Sequence, residues 1–348
     1  MIRIAIVGAS GYTGAELVRL LSLHPEAKVV AATSDSFAGQ KLGDLYPALG
    51  AAGDMVLRKL SDADLSPKSA DVVFLAVPHG ESLKLTPGLV ASGAKVIDLS
   101  GDFRFHDTSV YEAWYKHPHT AKELAGQAVY GLPELFRDKI RGAKLIANPG
   151  CYVTSVVLSL FPLVKTGLVD CQHILVDAKS GVSGAGRKVQ YETQFARVSE
   201  NIIPYKVGVH QHTPEMEQSL KMAGGREVVI TFSPHLVPAR RGILSVAYAR
   251  LLNHSTTAEL TRLYQDFYRN EPFVEVRTAP SGLPELASAV GTNRCLVSVL
   301  ADERTQTAIA VASLDNLIKG ASGQAIQNLN LLAGLPESLG LTGPGLLP

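Results

Sequence analysis

Cys151 stands in the run Asn148-Pro149-Gly150-Cys151, between an apolar segment and a stretch of helical periodicity. Proline and glycine in succession make a fixed, sharp turn that would expose the sulfur. A cysteine at a helix N-terminus sits at the positive end of the helix dipole, which favours thiolate over thiol and lowers a pKa that is ~8.5 when unperturbed. Such a residue suits nucleophilic attack on a carbonyl with a covalent intermediate. Cys171 and Cys295 lie next to apolar strands and read as buried structural cysteines. A thiolate also needs a proton-transfer partner. Val209-His210-Gln211-His212-Thr213-Pro214-Glu215 offers two imidazoles and a carboxylate ahead of a helical stretch. Thr213 or its neighbour would cap that helix, with Pro214 at its first position. In an extended segment His210 and His212 point to opposite sides, so one of them would face Cys151. A zinc site is the competing use of a histidine pair, but no third ligand is spaced to complete it, and no metal is expected.

A second chemical signal is Gly8-Ala9-Ser10-Gly11-Tyr12-Thr13-Gly14, between the first apolar run and the first helical one. Glycines there allow a tight turn and close approach of the backbone to a pyrophosphate, and the helix N-terminus supplies free N–H groups. The spacing is G-x-x-G-x-x-G rather than the commoner G-x-G-x-x-G, so the strand before and the helix after carry the reading. An acid ~20 residues further on would bond the ribose hydroxyls of NAD. Asp35 is near that position, but Ser34 and Ser36 flank it, and their hydroxyls would suit a 2′-phosphate. At the level of residues the choice of cofactor stays open. Three segments could grip an oxyanion: Ser100-Gly101-Asp102-Phe103-Arg104, Lys179 to Arg187 with its glycines, and Pro238-Ala239-Arg240-Arg241-Gly242. Arginine suits that task because its planar fork binds oxyanions in bidentate fashion.

The elements that must position these residues follow from periodicity. Apolar runs at Ile2–Val7, Lys28–Thr33, Asp71–Val77, Ala94–Leu99 and Lys144–Ala147 alternate with helical stretches at Ala15–Leu23 and about Glu81–Ser92. Continuous apolar strands separated by helices predict an α/β domain with a doubly wound parallel sheet. After Cys151 one helix, Tyr152–Lys165, precedes longer strand-like runs at Ile174–Ala178, Glu227–Leu236, Ile243–Leu251, Cys295–Ala301 and Thr307–Ser313. The last two alternate with polar residues, so residues 151–314 read as an α+β domain on a mixed or antiparallel sheet. Asp315–Leu332 reads as a final helix returning to the first domain, residues 1–150, and Pro336–Pro348 as an irregular tail. The 348 residues fit two domains, and 46% hydrophobic content is ample for their cores. The 33 basic and 32 acidic side chains leave no surplus for a nucleic-acid partner. No uninterrupted apolar segment reaches the ~18 residues that a membrane span needs. The first residues lack the pattern of a secretory leader, and three cysteines are too few and too odd for a disulfide framework, so the cytoplasm is expected.

Taken together, GASGYTGAEL, DLSGDFR, NPGCYVTS, SGVSGAGR, HQHTPE, PHLVPARRGI and NLIKGASGQAIQN resemble the N-acetyl-γ-glutamyl-phosphate reductases of arginine biosynthesis, in order from Gly8 to Asn328. The resemblance implies a Rossmann domain, an α+β domain like that of glyceraldehyde-3-phosphate dehydrogenase, NADPH as reductant, and a homodimer or homotetramer. It assigns Cys151 as nucleophile and His210 as acid/base. It places Ser180, Gly181, Gly184 and Asn316 on the cofactor side, and Arg104, Asn148, Tyr205, His212, Glu215 and Arg241 around the substrate. One departure stands out: many members carry a basic residue where this chain has Asp35. Reductases of aspartyl phosphate or of a carrier-linked aminoadipyl phosphate share the same design, and a non-catalytic dinucleotide sensor would need the glycine loop alone.

Overall fold

The computed structural model describes residues 1–278 and 282–346, so the last two residues of the expected tail lie outside it. The chain divides into two compact units, Met1–Pro149 with Ala321–Gly343, and Gly150–Gly320 with Pro344–Pro348.

The first unit is built on six strands, β1 (Ile2–Val7), β2 (Ala27–Thr33), β3 (Val72–Leu75), β4 (Lys95–Asp98), β5 (Val129–Tyr130) and β6 (Leu145–Ala147), in the order β2-β1-β3-β4-β6-β5. Every pairing is parallel. All four residues of β3, Val-Val-Phe-Leu, are buried, as expected of a central strand covered on both faces. Strand order reverses across β1, which opens a crevice at the carboxyl ends of the strands, where sheets of this kind bind ligands. β5 has only two residues, too few to leave a periodic signal. The expected helix from Asp315 begins instead at Gly323 and runs to Leu332, after a π-type turn over Ile318–Ser322. Its buried amides are satisfied inside the first unit: Asn328 Nδ2 donates to Gly131 O (2.8 Å) and to Asn148 Oδ1 (3.1 Å), and Gln324 Nε2 donates to Gly131 O (3.1 Å).

The second unit carries β7 (Ile174–Gly181), β8 (Ile203–Pro204), β9 (Ile230–Val237), β10 (Ile243–Arg250), β11 (Val274–Val276), β12 (Cys295–Asp302) and β13 (Thr307–Leu314), in the order β11-β12-β13-β10-β7-β9-β8. The sheet is mixed: β7 with β9 and β11 with β12 are parallel, and the other pairs are antiparallel. Helix Cys151–Thr166 packs on the sheet and is buried from Tyr152 to Val164. It is apolar nearly all round, as a core helix must be. Pro162 lies inside it and lacks the N–H that would bond the carbonyl of Leu158; the Tyr268 hydroxyl donates to that carbonyl instead. The other sheet face carries an apolar row that registers across four strands, Leu175↔Tyr248↔Ile309↔Leu300. None of these four side chains is buried.

Candidate active site

Cys151 is the first residue of its helix, capped by Gly150, and its partly exposed sulfur is not in a disulfide. Local chemistry dictates this placement. The turn at Pro149-Gly150 stops the strand end, and a side chain at Gly150 would collide with the His212 ring, since a Cβ there would lie 2.5 Å from His212 Nε2. The fully buried carboxylate of Glu215 accepts the Gly150 N–H at 2.8 Å. Glu215 lies in the first turn of helix Thr213–Gly224, where the positive dipole end favours an acid. The residue before Cys151 is thus fixed from the side of the histidine segment.

That segment is not extended. The N–H of His212 donates to His210 Nδ1 at 3.1 Å and the Thr213 N–H to His210 O at 2.9 Å, closing a turn that brings the two rings to 4.7 Å. The expectation that they point to opposite sides is therefore corrected: helical backbone at His212 replaces the period of two. The neighbour of Thr213, His212, is the helix cap, and Pro214 is the second helical residue rather than the first. Because His210 Nδ1 accepts a hydrogen bond, its neutral ring carries the proton on Nε2. Burial, with a contribution from Lys206, pushes its pKa down to about 3, so the ring is neutral near pH 7. Tyr152, Tyr205 and Phe232 pack edge-on around His210, at 5.7, 5.6 and 5.4 Å between ring centroids. The Tyr205 hydroxyl donates to that of Tyr152 at 3.1 Å. Burial, with the Cys151 charge as a smaller cause, raises the pKa of both phenols and keeps them neutral.

Asn316 and Arg241 meet a neighbouring part of the second unit. Asn316 Oδ1 accepts the Gly242 N–H at 2.7 Å, and its Nδ2 donates to Ser183 Oγ at 3.0 Å, so it ties the Ser180–Gly184 loop to the turn before β10. Ser180 is buried at the end of β7, its hydroxyl donating to Gly181 O at 2.9 Å. Arg241 is held by Asp315, a residue that motif reading overlooked. The overlooked signal was an acid placed directly after the apolar run of β13. Two residues of one turn serve both places: Asp315 grips Arg241, Gly320 N–H donates to Asp315 O at 2.9 Å, and Gly320 packs against Cys151, where a Cβ would come within 2.9 Å of the cysteine Cβ.

In the first unit, Gly8 ends β1 with φ +88°, a conformation open chiefly to glycine, and Gly11 caps helix Tyr12–Leu21. The first turn of that helix holds Tyr12, Thr13 and Gly14, and the pattern is the cradle a dinucleotide pyrophosphate requires. Ser10 Oγ and Ser34 Oγ are hydrogen bonded at 2.7 Å, joining the glycine turn to the end of β2; Ser36 is exposed beyond it. Asp35 Oδ1 accepts the Leu60 N–H at 2.9 Å. Arg104 and Asn148 also lie in this unit, both buried: Arg104 Nε donates to Asn148 O at 2.8 Å and its Nη2 to Leu99 O at 3.0 Å. Two further buried acids shape the loop before Arg104. Asp102 accepts Gly80 N–H and the Tyr111 hydroxyl at 2.8 and 2.9 Å, and burial beside Asp102 pushes Asp98 up to about 6. Among the described residues no group of three or more His, Cys, Asp and Glu could hold a metal, and no helix is long and apolar enough to cross a membrane.

Comparison with known proteins defines the class first. Residues 3–143 match the family described as semialdehyde dehydrogenase, NAD binding domain, and residues 151–316 match semialdehyde dehydrogenase, dimerisation domain. The fold agrees: aspartate semialdehyde dehydrogenase II of Vibrio cholerae, in complex with ASA, superposes with a TM-score of 0.74 at 17% identity, covering 96% of this chain and 98% of that one. Aspartate semialdehyde dehydrogenase of Candida albicans, with NADP, gives 0.69 at 18%, covering 96% and 98%. Sequence then narrows the class. The N-acetyl-γ-glutamyl-phosphate reductase of Desulforudis audaxviator is 50% identical over the whole of both chains, and that of Pelotomaculum thermopropionicum is 48% identical over 100% of this chain and 99% of that one. The chain belongs to the N-acetyl-γ-glutamyl-phosphate reductase family.

Proposed function

We propose that the chain reduces N-acetyl-L-glutamyl 5-phosphate to N-acetyl-L-glutamate 5-semialdehyde and phosphate, with NADPH as reductant and a thioester on Cys151 as the intermediate. The observation that carries this reading is a thiol at a helix N-terminus, whose next residue, Tyr152, packs on the buried neutral imidazole of His210, in a chain half identical to reductases of that name.

The Cys151 thiolate attacks the 5-carbonyl carbon; the carbon–oxygen bond to phosphate breaks and phosphate departs with its electron pair, leaving the thioester. NADPH supplies hydride when bound. The thioester carbon, once reduced, becomes a tetrahedral thiohemiacetal on Cys151, whose carbon–sulfur bond breaks to release the aldehyde and restore the thiolate. His210 offers its Nε2 proton to the developing oxygen and takes the proton back from that hydroxyl as the carbon–sulfur bond breaks, and positioned proton transfer of this kind contributes ~10²–10⁴-fold. Tyr205 and His212 line the same pocket, and Arg241 offers its guanidinium to a substrate anion. Arg104, Asn148 and Glu215 support the turn that carries the nucleophile. The Ser180–Gly184 loop and Asn316 would face the nicotinamide, while Gly8 to Gly14 cradle the pyrophosphate and Ser34 and Ser36 approach the adenosine ribose.

The apolar row Leu175–Tyr248–Ile309–Leu300 suits contact with a second copy, giving a homodimer or a tetramer built from two. Three cysteines outside any disulfide suit the reducing cytoplasm. The test is to run the reaction backwards: NADP⁺ reduction with N-acetylglutamate semialdehyde plus phosphate should far exceed that with aspartate semialdehyde plus phosphate. Equal or reversed rates would overturn the substrate assignment.

A further inference from the structure

We propose that Arg58 supplies the cation that recognises the 2′-phosphate of the cofactor; the proposal rests on the NADPH reading above. The end of β2 is locked to the glycine turn: Gly8 and Ala9 N–H donate to Thr33 O at 3.2 and 2.9 Å, and the Ser10 and Ser34 hydroxyls meet at 2.7 Å. The segment that carries Arg58 lies along the outer edge of the same strand end. Thr33 and Arg58 form a parallel bridge, Arg58 N–H donates to Ala32 O at 3.0 Å, and Ser34 N–H donates to Arg58 O at 2.9 Å. Two main-chain hydrogen bonds therefore fix the Arg58 backbone beside Ser34, the residue that joins β2 to the pyrophosphate cradle.

The side chain is exposed and makes no hydrogen bond or ion pair among the described residues. Lys41, a nearby cation in sequence, is by contrast paired with Asp54 at 2.8 Å. The same segment disposes of the acid that would argue for an unphosphorylated ribose. Leu60, two residues after Arg58, donates its N–H to Asp35 Oδ1 at 2.9 Å. The stretch from Arg58 to Leu60 thus tethers the carboxylate through a backbone amide and leaves a guanidinium uncommitted. A phosphate monoester dianion is the ligand such a fork binds well, in bidentate fashion, with the Ser34 and Ser36 hydroxyls as neutral donors. This assigns to a residue 25 positions after the end of β2 the task usually expected of a basic residue in the loop that directly follows the strand.

The test measures binding to the full-length protein by calorimetry, with 2′,5′-ADP and 5′-AMP as probes. Wild type should prefer 2′,5′-ADP. Arg58→Ala should weaken 2′,5′-ADP by roughly 10- to 100-fold, the range for a charge-assisted hydrogen bond, and leave 5′-AMP unchanged. Arg58→Lys should retain part of the preference, and the salt dependence of 2′,5′-ADP binding should flatten in Arg58→Ala. A wild type that prefers 2′,5′-ADP together with an Arg58→Ala variant that keeps the full preference would overturn the assignment to Arg58. A wild type that does not distinguish the probes would overturn the NADPH reading and this inference with it.

Discussion

The carboxylate of Asp315 holds the guanidinium of Arg241 side-on: Oδ1 accepts from Nε and Nη2 at 3.3 and 3.1 Å, and Oδ2 lies 3.1 Å from Nε. Asp315 is fully buried and also accepts Gly291 and Leu317 N–H groups, each at 2.8 Å, so the arginine is referenced to rigid backbone. Removing one member of a buried pair leaves the other charge uncompensated. Asp315→Ala should therefore destabilise the protein by about 3–5 kcal/mol in denaturant unfolding. Arg241→Lys, which cannot keep the two-pronged grip, should raise KM for the acyl phosphate more than it lowers kcat. An unchanged KM in a folded Arg241→Lys variant would remove Arg241 from the substrate pocket.

The hydrogen bond from Gly150 N–H to Glu215 makes a separate prediction. Glu215→Ala strands a buried donor next to Cys151 and should cost about 1–3 kcal/mol of stability and lower kcat. Glu215→Gln keeps an acceptor oxygen in place, so it should recover most of both. Loss of activity in Glu215→Gln with the fold intact would mean that the charge itself takes part in the chemistry.

His210 makes stability depend on pH with a definite sign. Its pKa is about 3 in the folded chain against an ordinary 6.5, so between those values the unfolded chain binds a proton there that the folded chain does not. Stability then falls as pH falls through this window, by up to ~1.4 kcal/mol per pH unit. Asp98 acts in the other sense: its pKa is raised to about 6, the folded chain holds the extra proton, and stability falls as pH rises from 3.8 toward 6. The two slopes oppose each other in the wild type, so the contribution of His210 appears in a difference. His210→Asn should gain stability relative to wild type as pH is lowered from 6 to 4. A difference that stays constant across that range would show that His210 titrates normally.

Much of this was legible in residue order because the signals were local. The apolar runs of β1 to β4 and the turn at Pro149-Gly150 need only neighbours in sequence to be read, and the helix after Cys151 announces itself by length and hydrophobicity. β5, β8 and β11, of two or three residues each, carry no periodicity, and their pairing is decided by the sheets they join. The histidine segment was misjudged for a related reason: a turn closed by the His212 N–H on His210 Nδ1 is a side-chain effect that alternation does not encode. Asp315 and Asp98 were invisible because a lone acid says nothing until burial and a partner are known. Arg58 lies among charged and turn-forming residues, and its pairing with Thr33 emerges only when the chain folds back along β2.

The central claim is that Cys151 forms a thioester, and intact-protein and peptide mass spectrometry test it directly. Wild-type protein mixed with N-acetylglutamyl phosphate in the absence of NADPH should carry an acyl adduct on the Cys151 peptide, and Cys151→Ser should bind the cofactor normally yet turn over no substrate. An unmodified Cys151 peptide under saturating acyl phosphate, or full activity in Cys151→Ser, would contradict the account.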